Sequence, residues 1–289
     1  MPCAYHTPVR AVVLDRSGLP TLADVPEPEG PGALVSIRAC GLCGSDLEKL
    51  TPEHAGAVLG HEVVAETVDG RRVALVHHRP CGECERCRAG HESTCDSFRA
   101  ATIRPGGFAE RALTDAWVAL PEEVDDARAT AVEPLACVLR GAERVPRGRV
   151  LVVGHGFVGR LFSSVLAARG DEVFAVDADP ARTGRAPDGT VDAAVICARG
   201  GVETALEAVA PGGTIVLFAD ARGIPAQPLY RRELTVIGAR SATPAHMEQA
   251  AALLTELDLP EPTVLPLERF AEGLELFRRR AILKVVFTP

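Results

Sequence analysis

The 289-residue sequence reads as two fold classes in series: a β-rich, barrel-like domain and an α/β domain built on a parallel sheet. Three observations predict this. Between residues 9 and 120, short β-rich runs recur, broken by Pro and Gly, with little helical spacing among them. From residue 149 onward, continuous apolar runs of strand length alternate with helical patterns, as in a parallel sheet covered on both faces. A G-x-G-x-x-G turn joins the first strand and first helix of that second part.

The first part contributes AVVLD (11–15), ALVSIRA (33–39), HEVVAETV (61–68) and RVALV (72–76) as strands. The pattern changes at TAVEPLACVLRGAERV (130–145), whose apolar spacing is helical and which Pro146 to Gly148 punctuates. RVLVVG (149–154) is then a buried strand, and FVGRLFSSVLAARG (157–170) a helix stopped by Gly170. EVFAVD (172–177), AAVICA (193–198), TIVLFA (214–219) and LTVIGA (234–239) are further strands, with VETALEAVA (202–210) a helix among them. Residues 244–258 and 266–280 read as helices, and LKVVFTP (283–289) as a strand.

Composition narrows the function classes. An apolar fraction of 47% and a charged fraction of 24% match an ordinary globular protein with room for two cores. A formal net charge of −8 offers no basic field to nucleic acid or an anionic membrane. No run approaches the roughly 18 apolar residues of a spanning helix. The opening MPCAYHTPVR lacks the apolar segment of an export signal. The expectation is a cytoplasmic protein, whose nine cysteines serve as metal ligands, core residues or catalytic groups in preference to disulfides.

CGECERCRAGHESTC places Cys81, Cys84, Cys87 and Cys95 in one short loop. Four thiolates at this spacing close a tetrahedron around zinc, and a saturated site of that kind is structural. The competing iron–sulfur signature would add a Cys-Pro end that is missing.

GLCGSD (41–46) and GHE (60–62) supply a thiolate, an imidazole and two carboxylates. With Glu133 they offer the three protein ligands of a catalytic zinc, leaving one position open. Cys43 and His61 are two ligands; Glu62 or Glu133 is the third, and the two can exchange. Asp46 suits the role of fixing the His61 tautomer. Ser45 can take a proton from an alcohol beside the metal.

In VLVVGHGFVG, Gly154, Gly156 and Gly159 permit a tight turn, close approach of a pyrophosphate, and close helix–strand packing. Phe157 and Val158 complete the turn into the helix. Asp177 ends the next strand and is placed to bind both ribose hydroxyls of an adenosine, which favours NAD over NADP. Arg182 is placed to cover the adenosine side.

In order, GLCGSD, GHE, the four-cysteine run, GGFAE (106–110), VEPLA (132–136), VVGHGFVG, the acid after the second strand, PGG (211–213) and KVVFTP resemble the zinc-dependent medium-chain alcohol and polyol dehydrogenases. The resemblance runs nearly end to end. It implies a GroES-like β-barrel catalytic domain over 1–140 and 241–289, with a Rossmann dinucleotide-binding domain over 141–240, and a cleft that sets nicotinamide against zinc. Glu133 in EPLA resembles the sorbitol, threonine, glucose and cyclitol dehydrogenase branch. The implied reaction interconverts a small secondary alcohol (polyol, cyclitol or amino alcohol) and a ketone. The resemblance also implies a homodimer through LTVIGAR (234–240), with a tetramer as the alternative.

The sequence departs from that pattern in three places. Only 17 residues separate Cys43 from His61, and Glu48 stands where the polyol branch carries a relay histidine, leaving His54 as a substitute. The short 47–60 segment predicts an open cleft that admits a bulky or conjugated alcohol. ADPARTGRAPDGTVD (178–192) is too short and polar for the usual helix, strand and helix, so the third strand of the parallel sheet is expected to be missing. The rival functional reading is a non-catalytic dinucleotide-binding relative with the structural zinc only.

Overall fold

The computed structural model describes residues 8–99 and 102–289. Two compact units divide them. The first holds residues up to 133 with 243–255 and 261–289; the second holds 134–242 with 256–260.

In the first unit, β1 (Val9–Leu14) and β2 (Pro20–Val25) form an antiparallel hairpin. Its turn is tied by the Asp15 carboxylate, which accepts from the backbone N–H of Ser17 and Leu19. β3 (Ala33–Gly41) is followed by a short helix, α1 (Gly44–Glu48). β4 (Glu62–Thr67) and β5 (Arg72–Leu75) precede a cysteine-rich lobe carrying α2 (Glu85–Arg88). β6 (Ile103–Arg104), β7 (Arg111–Thr114) and β8 (Trp117–Ala119) follow, then α3 (Asp126–Ala129) and α4 (Val132–Ala142), which begins at the end of this unit and runs into the second.

The second unit alternates β9 (Arg149–Val153), α5 (Phe157–Ala168), β10 (Glu172–Val176), β11 (Val191–Ile196), α6 (Val202–Ala208), β12 (Val209–Leu217), α7 (Ala226–Arg232) and β13 (Thr235–Gly238). The chain then returns to the first unit with α8 (Pro244–Leu253), β14 (Thr263–Pro266), α9 (Phe270–Arg278) and β15 (Val285–Thr288).

Among the described residues, the first unit's main sheet runs β14-β15-β3-β4-β5-β8, with β7 also on β3 and β6 on β7. β15 therefore joins a sheet begun some 240 residues earlier, pairing Val286 with Gly41. Phe108, Phe270 and Phe287 meet in its core, with Phe108 edge-on to both others at 4.9 and 5.8 Å. The β3–β4 register matters most for function, because Gly41 lies opposite Glu62 and GLCGSD is thereby laid beside GHE.

The second unit's sheet is parallel and runs β10-β9-β11-β12-β13. Val150 to Val153 and Ala193 to Ile196 are buried throughout, which is why those runs are continuously apolar. α5 buries Gly159, Leu161, Phe162, Val165 and Leu166, a stripe at helical spacing. Among the described residues no third strand lies beyond β10, as the polar 178–192 segment predicts. Among the described residues, the chain beyond β10 meets that edge through backbone hydrogen bonds from Ala175 N to Arg185 O at 2.9 Å and from Gly184 N to Ala175 O at 3.1 Å.

Candidate metal centres and dinucleotide loop

The four-cysteine lobe folds around its sulfurs. Cys81, Cys84, Cys87 and Cys95 bring their Sγ atoms within 4.8 Å of one another. Sγ of Cys81 lies 3.9 Å from Cys87 and 3.6 Å from Cys95. A tetrahedron with metal–sulfur bonds of about 2.3 Å has edges of about 3.8 Å, so the donor set fits zinc. The backbone turns each sulfur toward N–H groups, with Cys81 N, Cys84 N and Cys87 N donating to Cys95, Cys81 and Cys84. The Cys81 N–H in particular holds the Cys95 thiol down at about 6. The described cysteines are free of disulfides. Cys87, Cys95 and Phe98 form the lobe's own small core.

The second cluster is assembled by the β3–β4 register. Cys43, His61 and Glu62 present ligand atoms within 4.8 Å of one another. Asp46 sits three residues after Cys43, so one turn of α1 lets its Oδ2 accept from Cys43 N at 3.0 Å. Its Oδ1 lies 3.3 Å from His61 Nδ1, both groups buried. That contact occupies Nδ1 and leaves Nε2 for a cation. Burial opposes a charged imidazole, yet Asp46 and Cys43 outweigh it and hold His61 well above the usual histidine range. A bound cation would have to displace that proton.

Sequence reasoning missed two neighbours of this cluster. Lys284, on the segment leading into β15, is 3% exposed, forms an ion pair with Glu62 and donates to Leu42 O at 3.0 Å. Burial opposes its charge, but Glu62 and Cys43 keep its pKa raised. Nothing local in KVVFTP signals this role; only the β15–β3 pairing does. Gly41 makes room for the pair, since a Cβ there would lie 2.2 Å from Glu62 Oε2.

The second neighbour is His77. Its ring stacks on His61 at 4.8 Å, and His77 in turn meets His78 at 3.8 Å and His78 meets Phe98 at 4.9 Å. Burial drives His77 down to about 2, so it stays neutral beside the cluster. The aromatic file thus runs from the cysteine lobe to His61.

The remaining expected residues are placed as follows. Ser45 is exposed on α1, two residues from Cys43. Glu133, half-buried at the start of α4, is outside the Cys43–His61–Glu62 triplet, although its charge acts on Lys284. His54 bonds Thr51 through Nδ1 at 3.1 Å. Cys43, Asp46, Glu62 and Lys284 together carry three negative charges and one positive when the thiol ionises. A divalent cation balances that set.

In the second unit, Gly154 takes φ of +92°, where a Cβ would strike Ala198 at 2.7 Å. A Cβ on Gly159 would lie 2.0 Å from Gly154 O, so strand and helix close together only with glycine. A Cβ on Gly156 would meet nothing within 4 Å, which leaves open space before Phe157 and Val158 at the start of α5. That is the room a pyrophosphate needs at a helix N-terminus. Asp177 closes β10 with Oδ2 accepting from His155 N at 2.7 Å and Oδ1 from Asp179 N at 2.9 Å. The Arg182 side chain is mostly buried and lies 3.4 Å from Asp179.

Comparison with known proteins agrees with this geometry. The family model "Alcohol dehydrogenase GroES-like domain" matches residues 30–123. L-Galactonate-5-dehydrogenase of Escherichia coli K12 is 26% identical, covering 92% of this chain and 94% of its own. D-Altritol 5-dehydrogenase of Agrobacterium fabrum is 28% identical, covering 85% and 88%. In fold, the chain superposes on the cobalt- and zinc-bound thermostable alcohol dehydrogenase of Pyrobaculum aerophilum with a TM-score of 0.86 at 22% identity, covering 98% and 100%. The alignment to the galactonate enzyme spans 319 positions, more than this chain possesses, so the relative carries segments that are trimmed here. With its alcohol dehydrogenase GroES-like domain, its parallel five-stranded sheet and its two clusters of candidate metal ligands, the chain is similar over nearly its whole length to the medium-chain alcohol and polyol dehydrogenases.

Proposed function

We propose that the chain interconverts a secondary alcohol and a ketone using NAD(H), with one zinc ion at Cys43 and His61 and a second in the four-cysteine lobe. The observation that carries this reading is the buried cluster of Cys43, His61 and Glu62, with Asp46 behind His61. When bound, zinc supplies Lewis acidity that lowers the pKa of an alcohol hydroxyl, and nicotinamide accepts the hydride.

The chain's own residues do the rest. Cys43 and His61 hold the cation, and Asp46 fixes the His61 ring. Glu62, held by its ion pair with Lys284, is the third ligand this arrangement favours. Glu133 is the alternative third ligand. Ser45 takes the alcohol proton on the exposed face of α1. Asp177, anchored by two N–H groups, receives the ribose hydroxyls and disfavours a 2′-phosphate, which supports NAD over NADP. The galactonate and altritol named for the relatives support a polyhydroxylated substrate. β13 is an edge of its sheet, which suits pairing with a second copy into a homodimer.

Metal analysis together with activity on polyols, cyclitols, sugar acids, amino alcohols and bulky conjugated alcohols, read by reduced-cofactor absorbance with NAD and NADP, tests the reading. Wild type should hold two zinc ions, and Cys43→Ser and His61→Ala should hold one and lose activity. Survival of both activity and the second zinc in these variants sinks it.

A further inference from the structure

The residue between the first two glycines of the turn, His155, makes contacts that the glycine motif does not require. Its Nδ1 lies 2.8 Å from Arg182 O, and its Nε2 lies 3.2 Å from Ser163 Oγ on α5. A carbonyl only accepts, so Nδ1 carries the proton and Nε2 accepts from the Ser163 hydroxyl. The ring also lies against Gly184, where an added Cβ would sit 3.7 Å from His155 Cε1.

These contacts add to a segment held mainly by polar bonds, among them Arg149 to Asp188 at 2.6 Å and to Thr190 O at 3.2 Å. From 178 to 190 every residue is exposed except Arg182 and Pro187, which are partly buried. The segment is tied by polar bonds: Thr183 Oγ1 with the Asp177 backbone, Ala181 N to Asp179, and Arg185 to Glu172. Arg185 also covers the Phe174 ring at 4.6 Å. His155 connects this cap to both the glycine loop and α5.

Given the dinucleotide reading above, on which this rests, we propose that His155 is a positioning residue for the adenosine half of the dinucleotide. Its imidazole pins the 178–185 cap against the glycine loop, and the cap serves as the wall that the missing third strand leaves out.

The test uses the full-length, zinc-loaded protein with AMP and nicotinamide mononucleotide as separate probes, read by calorimetry, and limited trypsinolysis of the ligand-free protein. In His155→Ala, AMP affinity should fall about tenfold, the worth of one or two net hydrogen bonds. Nicotinamide mononucleotide affinity should not change. Tryptic cleavage after Arg182 and Arg185 should accelerate by a similar factor. His155→Asn, whose amide can reach the Arg182 carbonyl, should restore most of both. Ser163→Ala, which removes only the Nε2 partner, should show a smaller loss of the same kind and covers the case in which His155→Ala fails to fold. Unchanged AMP affinity in both His155→Ala and Ser163→Ala, or weakened AMP affinity with unchanged proteolysis, overturns the proposal. A wild type that binds neither AMP nor NAD overturns the dinucleotide reading instead.

Discussion

At the scale of single residues, Lys284 and Glu62 decide how the metal cluster stays folded. Both are nearly inaccessible, and Gly41 leaves just enough space for them. Removing one member of a buried pair strands the other charge and costs about 3–5 kcal/mol. Lys284→Met should therefore lower the melting temperature of the metal-stripped protein sharply. With zinc present the fall should be smaller, because Glu62 then has a cation to face. Thermal unfolding with and without a chelator measures the difference. Equal losses in the two states would separate Lys284 from the metal site. This pair also marks a limit of sequence reading. Glu62 was legible beside His61, whereas its partner stands 222 residues away in a run that looks like any terminal strand.

At the scale of elements, the cysteine lobe and the parallel sheet were the most legible parts, because their signals are local. Four sulfurs in one loop need no knowledge of the rest of the chain, and a strand buried on both faces writes its burial as an unbroken apolar run. The Cys43–His61–Glu62 cluster was legible only as scattered short motifs, since the β3–β4 register that unites them leaves no mark in either strand. The aromatic file was not legible at all, because stacking between His61, His77, His78 and Phe98 follows no periodicity. It makes the lobe a support for the cluster. Phe98 is fully buried, and its replacement by Ala should cost about 3–5 kcal/mol, borne locally. Hydrogen exchange should then quicken across residues 81–98 and at His77 and His78. Unchanged protection at the two histidines would show that the lobe is energetically separate from the metal cluster.

At the scale of the whole molecule, the second unit's sheet has two different edges. Beside β10 the cap takes up backbone hydrogen bonds, whereas β13 presents its edge without a further strand among those described. Edge strands invite pairing, and proline within one blocks it. Under the proposed pairing through β13, Ile237→Pro should sediment as a monomer in analytical ultracentrifugation where the wild type sediments as a dimer, with the zinc content per chain unchanged. A variant that sediments like the wild type would overturn the proposed pairing through β13. The net charge of −8 sets the field in which such copies meet, so their association should depend on complementary local contacts more than on long-range attraction.

The late seating of β15 has a consequence in time. During synthesis Glu62 emerges long before Lys284, and the entire parallel sheet, whose last strand ends at Gly238, is made in between. Until Lys284 arrives, the carboxylate of Glu62 has no ammonium to neutralise it, and the strand that carries Gly41 lacks the neighbour supplied by Val286. Contacts so distant along the chain close slowly. The second unit can therefore fold while the first is still waiting, and the metal cluster is among the last features of the molecule to acquire its final form.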